Sequence, residues 1–220
     1  MSQTSAIPDT RLSAELNDFL EQLEGKDSTV SDLINMIGDR GFELLILLLA
    51  LPAALPVPAV GYGTPFGILL IILGAQIAIG RETPWVPRRL GTLRVPYKLL
   101  SFSIKNARFP LKAVELFIRP RLSRLASHRI FLPGVGVMIM LLAAMMSMPI
   151  PLTNTAPSFV IFMLAAGILE EDGLFLLFGL LLAPVAAAIA GAAVYYAFTY
   201  GPEAVETTLK PEIKRLLGLE

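Results

Sequence analysis

Three stretches of this chain contain no Asp, Glu, Lys or Arg: Leu44–Gly80, Ile130–Leu169 and Gly173–Pro202. Each is longer than the roughly 20 apolar residues a helix needs to cross about 30 Å of hydrocarbon. A soluble fold would have to bury all three within 220 residues, of which 55% are hydrophobic and only 16% charged, at a mean hydropathy of +0.67. A lipid bilayer is the solvent that fits such a chain, and helices are the structure that satisfies the backbone there.

Two of the three stretches are interrupted. Pro52, Pro56, Pro58 and Pro65, with Gly61, Gly63 and Gly67, break the first run, and Pro149, Pro151 and Pro157 break the second around Thr153, Asn154 and Thr155. Proline lacks the N–H donor and clashes with the preceding turn, so no continuous helix is expected through either cluster. Helix should resume from about Phe66 in the first run and from Phe159 to Leu169 in the second. Each half of the first run is then about 14 residues, or roughly 21 Å. A broken or re-entrant hairpin is the expected form, with two short complete spans as the alternative.

The two interruptions are in register. Gly41, Pro56 and Pro58 map onto Gly134, Pro149 and Pro151 at an offset of 93, and Pro65 maps onto Pro157 at 92. The expected fold class is an all-α integral membrane protein with two internally repeated broken hairpins, interfacial amphipathic helices and a final transmembrane helix. The segments are 1–40, acidic amphipathic helices; 41–80, first hairpin; 81–132, basic connector; 133–172, second hairpin; 173–202, a true span; and 203–220, an amphipathic tail.

Within the first segment, Leu12, Leu16, Phe19, Leu20 and Leu23 recur at helical spacing over Arg11–Glu24, and Gly25 is a C-terminal stop. Thr29 and Asp32 have the spacing of a capping box opening a second helix through Leu33, Ile34 and Ile37. The first 40 residues are polar and acidic and do not read as a secretory leader, so the first apolar run is expected to direct insertion. These acidic helices are expected to pack on the basic connector.

That connector holds twelve basic residues, from Arg81 to Arg129, against Glu82 and Glu115. The positive-inside rule makes it cytoplasmic, and Trp85 beside Arg88 and Arg89 suits the headgroup layer. A basic loop between membrane runs is explained without nucleic acid. Helices lying on the cytoplasmic surface, broken at Pro110 and Pro120, are expected in it. In the last run Gly179, Ala183, Ala187 and Gly191 recur every four residues, a small-residue stripe that suits close helix approach and a homodimer contact. Tyr195, Tyr196 and Tyr200 would form the far aromatic belt.

Half-helix ends carry partial charge, and transporters use such ends to hold ions and polar solutes near mid-membrane. The expected substrate-binding residues are Pro56, Pro58, Tyr62, Thr64 and Gln76 from the first break and Pro149, Pro151, Thr153, Asn154 and Thr155 from the second. The plainer reading makes Thr153 and Asn154 caps and Gln76 interhelical glue. Glu43, Glu170, Glu171 and Asp172 stand at run edges, as solvated interfacial groups or as proton or cation coupling groups. Cysteine is absent and His128 is the only histidine, so thiolate chemistry is excluded and no metal or cofactor is expected. No nucleophile–base set, phosphate loop or dinucleotide fingerprint is present, so no enzyme is expected; a lipid-modifying reaction using Arg88, Arg89 and an acid is the enzymatic alternative.

Leu55-Pro-Val-Pro58, the Gln76 helix, Pro84-Trp-Val-Pro-Arg-Arg89, Arg119-Pro-Arg121, Pro149-Ile-Pro-Leu-Thr-Asn-Thr155 and Glu171-Asp-Gly173 occur in an order that resembles the bacterial ExoD family of exopolysaccharide-synthesis proteins. The likeness covers residues 28–200. It implies an inner-membrane protein tied to exopolysaccharide output and alkaline tolerance. The family has an arginine before Asp-Gly where this chain has Glu171, so no contact of that arginine carries over. The leading expectation is a small secondary transporter or channel for an ion or small polar solute; the other is a non-transporting scaffold for exopolysaccharide assembly.

Overall fold

The computed structural model describes residues 11–37, 41–55, 63–81, 83–106, 131–150, 153–209, 211, 212 and 215. Among these the regular structure is helical, apart from one two-residue strand pair. Helix α1, Arg11–Gln22, buries Leu16, Phe19 and Leu20, and Leu23 follows into the same core. The chain then turns through Glu24 and Gly25, both at positive φ.

Strand β1, Ser28–Thr29, pairs antiparallel with β2, Arg94–Val95. Helix α2, Val30–Ile37, starts on the capping box that the spacing predicts. The Thr29 N–H and hydroxyl donate to the Asp32 carboxylate at 2.8 and 2.6 Å, and the Asp32 N–H donates back to Thr29 Oγ1 at 3.2 Å. These bonds from Thr29 hold the Asp32 carboxyl below its ordinary value. Two hydrogen bonds fix the start of α2 and the turn before it to the connector: Val30 N–H donates to Leu93 O, and Tyr97 N–H donates to the Asp27 carboxylate.

Four short apolar helices form the body of the fold. They are α3, Gly41–Ala54; α4, Gly63–Ala78; α7, Phe131–Met146; and α8, Thr155–Leu169. Between α4 and α7 lie the single turn α5, Arg88–Gly91, then β2, then helix α6 over 97–106. Helix α6 buries Leu100, Ser103 and Ile104 and exposes Lys98, Phe102 and Lys105. The expected breaks at Pro110 and Pro120, and His128, fall outside the described residues.

The main pairings are α4 with α7 and α3 with α8, and α3 also meets α4 while α7 meets α8. The four therefore close into a ring. A Cβ added to Gly74 would lie 2.8 Å from the Gly136 carbonyl oxygen, and one added to Gly67 would lie 3.0 Å from the Ala143 carbonyl oxygen. As position rises along α4 it falls along α7, so the two are antiparallel with their backbones in contact. Both breaks consequently lie at one end of the ring, here the tip. The starts of α3 and α7 and the ends of α4 and α8 lie at the other, the base.

The prolines act differently from the sequence expectation. Helix α3 runs through Pro52 to Ala54, α4 starts at Gly63 rather than Phe66, and α8 starts at Thr155 rather than Phe159. Pro65 and Pro157 stand in first turns, where backbone N–H groups have no intrahelical partner and the missing donor costs nothing. They open helices instead of ending them.

The fifth apolar helix, α9, spans Gly173–Tyr200 without a stop at Pro184. It is the one described helix long and apolar enough to cross a membrane; α3, α4, α7 and α8 are shorter. It packs against α8 and, less extensively, α7. Its inner face is Leu176, Gly179, Ala183, Ala186, Ala190 and Ala193, and its outer face exposes Leu174, Leu177, Phe178, Leu181 and Val185. Small residues inward and large apolar residues outward is the pattern of a helix held by close contact with lipid outside. Beyond Gly201 the chain turns back through Pro202–Ala204, and Val205–Leu209 forms a π-helical turn whose Val205 and Leu209 pack with Ala193, Tyr196 and Ile150.

Candidate functional site

The tip brings the two breaks together. Asn154 directly precedes α8, but its backbone is helical (φ −93°, ψ −51°) and its side chain makes no capping bond. Its amide lies against the first residue of α4, where a Cβ on Gly63 would come within 2.8 Å of Nδ2 and 3.2 Å of Oδ1. Any side chain at position 63 would push the Asn154 amide aside. Asn154 Oδ1 is buried with no hydrogen-bond partner. Among the described residues, this is the point where the N-terminal ends of α4 and α8 approach each other.

The remaining polar groups of the second break fold inward on their own backbone. Thr153, fully buried, donates its hydroxyl to Ile150 O at 2.7 Å and Met148 O at 3.1 Å. Ser158 Oγ donates to Asn154 O at 2.5 Å, and Ser147 Oγ to Ala143 O at 2.8 Å. Thr64 and Pro149 border this region, half-buried and exposed respectively, and Thr155 is exposed. Pro56, Pro58, Tyr62 and Pro151 lie outside the described residues.

Gln76 is not at the tip. It sits at the base end of α4, 5% exposed, with Nε2 donating to Trp85 O at 2.7 Å and to Ile72 O at 3.0 Å while Trp85 N–H donates to Oε1 at 2.7 Å. The side-chain amide pairs with a peptide group as a neighbouring strand would. Arg81 N–H donates to Gln76 O and Gly80 N–H to Ile77 O, both at 2.9 Å, with Gly80 at φ +74°. This glycine-terminated cap leaves Arg81 and Trp85 exposed on either side of the clamp.

The coupling candidates gather at the base. Glu43, half-buried, lines an open cavity of about 640 Å³ together with Phe42, Ile77, Arg81, Leu132 and Ile168. Glu170 closes α8 half-buried, and Glu171 follows at φ +52°, a left-handed position usually given to glycine. Asp172, 1% exposed, accepts from the N–H groups of Leu174 and Phe175 and so caps α9. Among the described residues, no group of three or more His, Asp or Glu could hold a metal.

The small-residue stripe is divided. Gly179 and Ala183 are buried, Gly179 against Leu164 of α8, so this half of the stripe serves packing within the chain. Ala187 and Gly191 are half-buried, with open space where a Cβ on Gly191 would point. Sequence reasoning missed Arg81 and the Gln76–Trp85 clamp. The available signal was Gly80, a helix stop that fixes where the first charge after α4 must emerge.

A family model described as "Exopolysaccharide synthesis, ExoD" matches residues 12–192, which takes in all five apolar helices except the last residues of α9. The chain belongs to the ExoD family. One relative is Protein ExoD of Rhizobium meliloti, 32% identical over 166 residues, covering 74% of this chain and 69% of that protein. Another is an uncharacterized protein of Synechocystis, 30% identical over 209 residues, or 94% of this chain and 98% of that one. No solved structure matches. Membership in ExoD links the chain to exopolysaccharide synthesis, and with α9 it supports association with a membrane. The ExoD region contains both the tip contact at Asn154 and the cavity at the base.

Proposed function

We propose that this ExoD-family chain is a multi-pass inner-membrane protein that moves an ion or small polar solute in support of exopolysaccharide synthesis, as a small secondary transporter or channel. The observation that carries the reading is the buried, unpartnered Asn154 amide oxygen where α4 and α8 begin. Leaving such an atom without a partner costs about 1–3 kcal/mol. A solute or ion that binds there in part of a cycle accounts for its retention, and the two helix starts add partial positive charge to the same place.

Two re-entrant hairpins from a duplicated unit give this arrangement its logic. Exchanging the hairpins turns the α4–α7 pairing into the α8–α3 pairing. Helices of 14 to 16 residues are about 21 to 24 Å long, short of the roughly 30 Å of hydrocarbon, so the breaks would lie within the bilayer. Self-association, in this reading, uses Ala187 and Gly191 rather than the buried half of the stripe.

A second reading, a non-transporting scaffold for exopolysaccharide assembly, has its own support. Between tip and base the core is dry: Leu45, Leu49, Leu69, Leu73, Ile139, Leu142 and Leu164 are all at most 1% exposed. A carrier must open that core during its cycle. Uptake of ions, amino acids and sugars into proteoliposomes separates the two. Transport by the wild type, lost in Asn154→Leu at equal folded yield, is the expected result. If no solute moves and Asn154→Leu still restores exopolysaccharide to a deletion strain, the scaffold stands.

A further inference from the structure

The base cavity has a chemistry of its own. Its volume, about 640 Å³, falls within the roughly 300–1,000 Å³ of ligand sites. Phe42, Ile77, Leu132 and Ile168 give it apolar walls, and Arg81 stands on its rim. We propose that this cavity takes the headgroup and first acyl carbons of an anionic phospholipid, with the phosphate on Arg81. The proposal rests on the membrane reading above but not on transport.

Three features favour that occupant. The Arg81 backbone is fixed by its bond to Gln76 O, so the guanidinium is presented from a rigid cap, and its planar fork suits a phosphate. Ile79, also on the lining, is 77% exposed and Trp85 is 53% exposed, which places large apolar surface beside a cation at the end of an apolar helix. That combination matches the headgroup boundary, where an aromatic ring and an arginine both find suitable partners. Arg88 and Arg89, exposed on the next turn, add positive field. Glu43, the other charged group on the wall, already has an interaction within the chain and is assigned no part in holding the lipid.

Trp85 is the only tryptophan and is clamped to Gln76 next to the lining residue Ile77, so the protein's tryptophan fluorescence comes from beside this site. The full chain in detergent micelles is titrated with phosphatidylglycerol and with phosphatidylcholine, both carrying brominated acyl chains that quench tryptophan. The expected result is saturable quenching by phosphatidylglycerol at about tenfold lower mole fraction than by phosphatidylcholine, as one charge-assisted contact would give. Arg81→Gln should abolish the difference and Arg81→Lys should keep part of it. Leu132→Phe, which fills the cavity, should weaken quenching by phosphatidylglycerol without lowering the melting temperature. Equal titration by the two lipids, or unchanged selectivity in Arg81→Gln, overturns the proposal. So does reversal of quenching by millimolar inorganic phosphate, which would assign the site to a free oxyanion. Failure of the membrane reading itself would appear separately, as release of the chain from membranes by alkaline carbonate.

Discussion

Gln76 binds the chain at a position where a sheet or a second helix would otherwise be needed. Its amide supplies one donor and one acceptor to the Trp85 peptide, and its own carbonyl receives Arg81 N–H, so one residue holds two points of the connector against α4. Gln76→Leu keeps the size and removes all three side-chain bonds. It should destabilise the protein by about 2 kcal/mol, the cost of leaving peptide groups unpaired in a poorly hydrated place. A lowered melting temperature together with altered Trp85 emission would confirm it; an unchanged melt would show that water replaces the clamp. The sequence marked Gln76 as the one strongly polar residue of its helix but could not give its partner, because that depends on how the eight intervening residues turn. The Thr29–Asp32 box was readable for the opposite reason, since both partners lie within one turn. Asn154 was marked as polar, yet its lack of a capping bond depends on Gly63, distant in the chain.

Among the helices, the contact between α4 and α7 is set by glycine. Gly74 and Gly136 face each other so closely that a Cβ on either would meet the other's carbonyl oxygen at 2.8 or 2.6 Å. Backbone on both sides cannot yield as a side chain does. Gly74→Val should therefore cost about 3 kcal/mol, the upper range for overpacking, and lower the yield of monodisperse protein in detergent. Gly134→Ala, where the Cβ would meet nothing, is the control expected to be silent. The apolar runs and the amphipathic face of α1 were legible because burial follows a simple period. Helix starts were not, because proline breaks a helix interior but is tolerated in a first turn, and where Pro65 and Pro157 fall depends on where each helix begins. The stripe on α9 was also visible, but repetition every four residues does not say whether the neighbour is α8 or another chain.

At the scale of the molecule, the ring places α1, α2 and the described connector at the base, while α9 carries the chain to the tip, where its tail packs on Ile150. Under the proposed multi-pass reading, in which the basic connector is cytoplasmic, the C-terminus should be outside. Alkaline phosphatase fused after Glu220 should be active and a fluorescent protein there dark; the reverse would place an additional crossing in the chain. Lys210, Lys214 and Arg215 would favour the inside by the same charge rule, so the fusion also decides between charge and connectivity at this end. The base cavity was not legible at all, since it is made by four helix ends that are distant in sequence. The body and its flank also differ in height. Helix α9 has 28 residues, the others 14 to 16, or about 42 Å beside about 24 Å. Under the proposed multi-pass reading, a bilayer meeting both would thin toward the ring while α9 tilts or the bilayer thickens along it, so the protein should sort into thinner membrane.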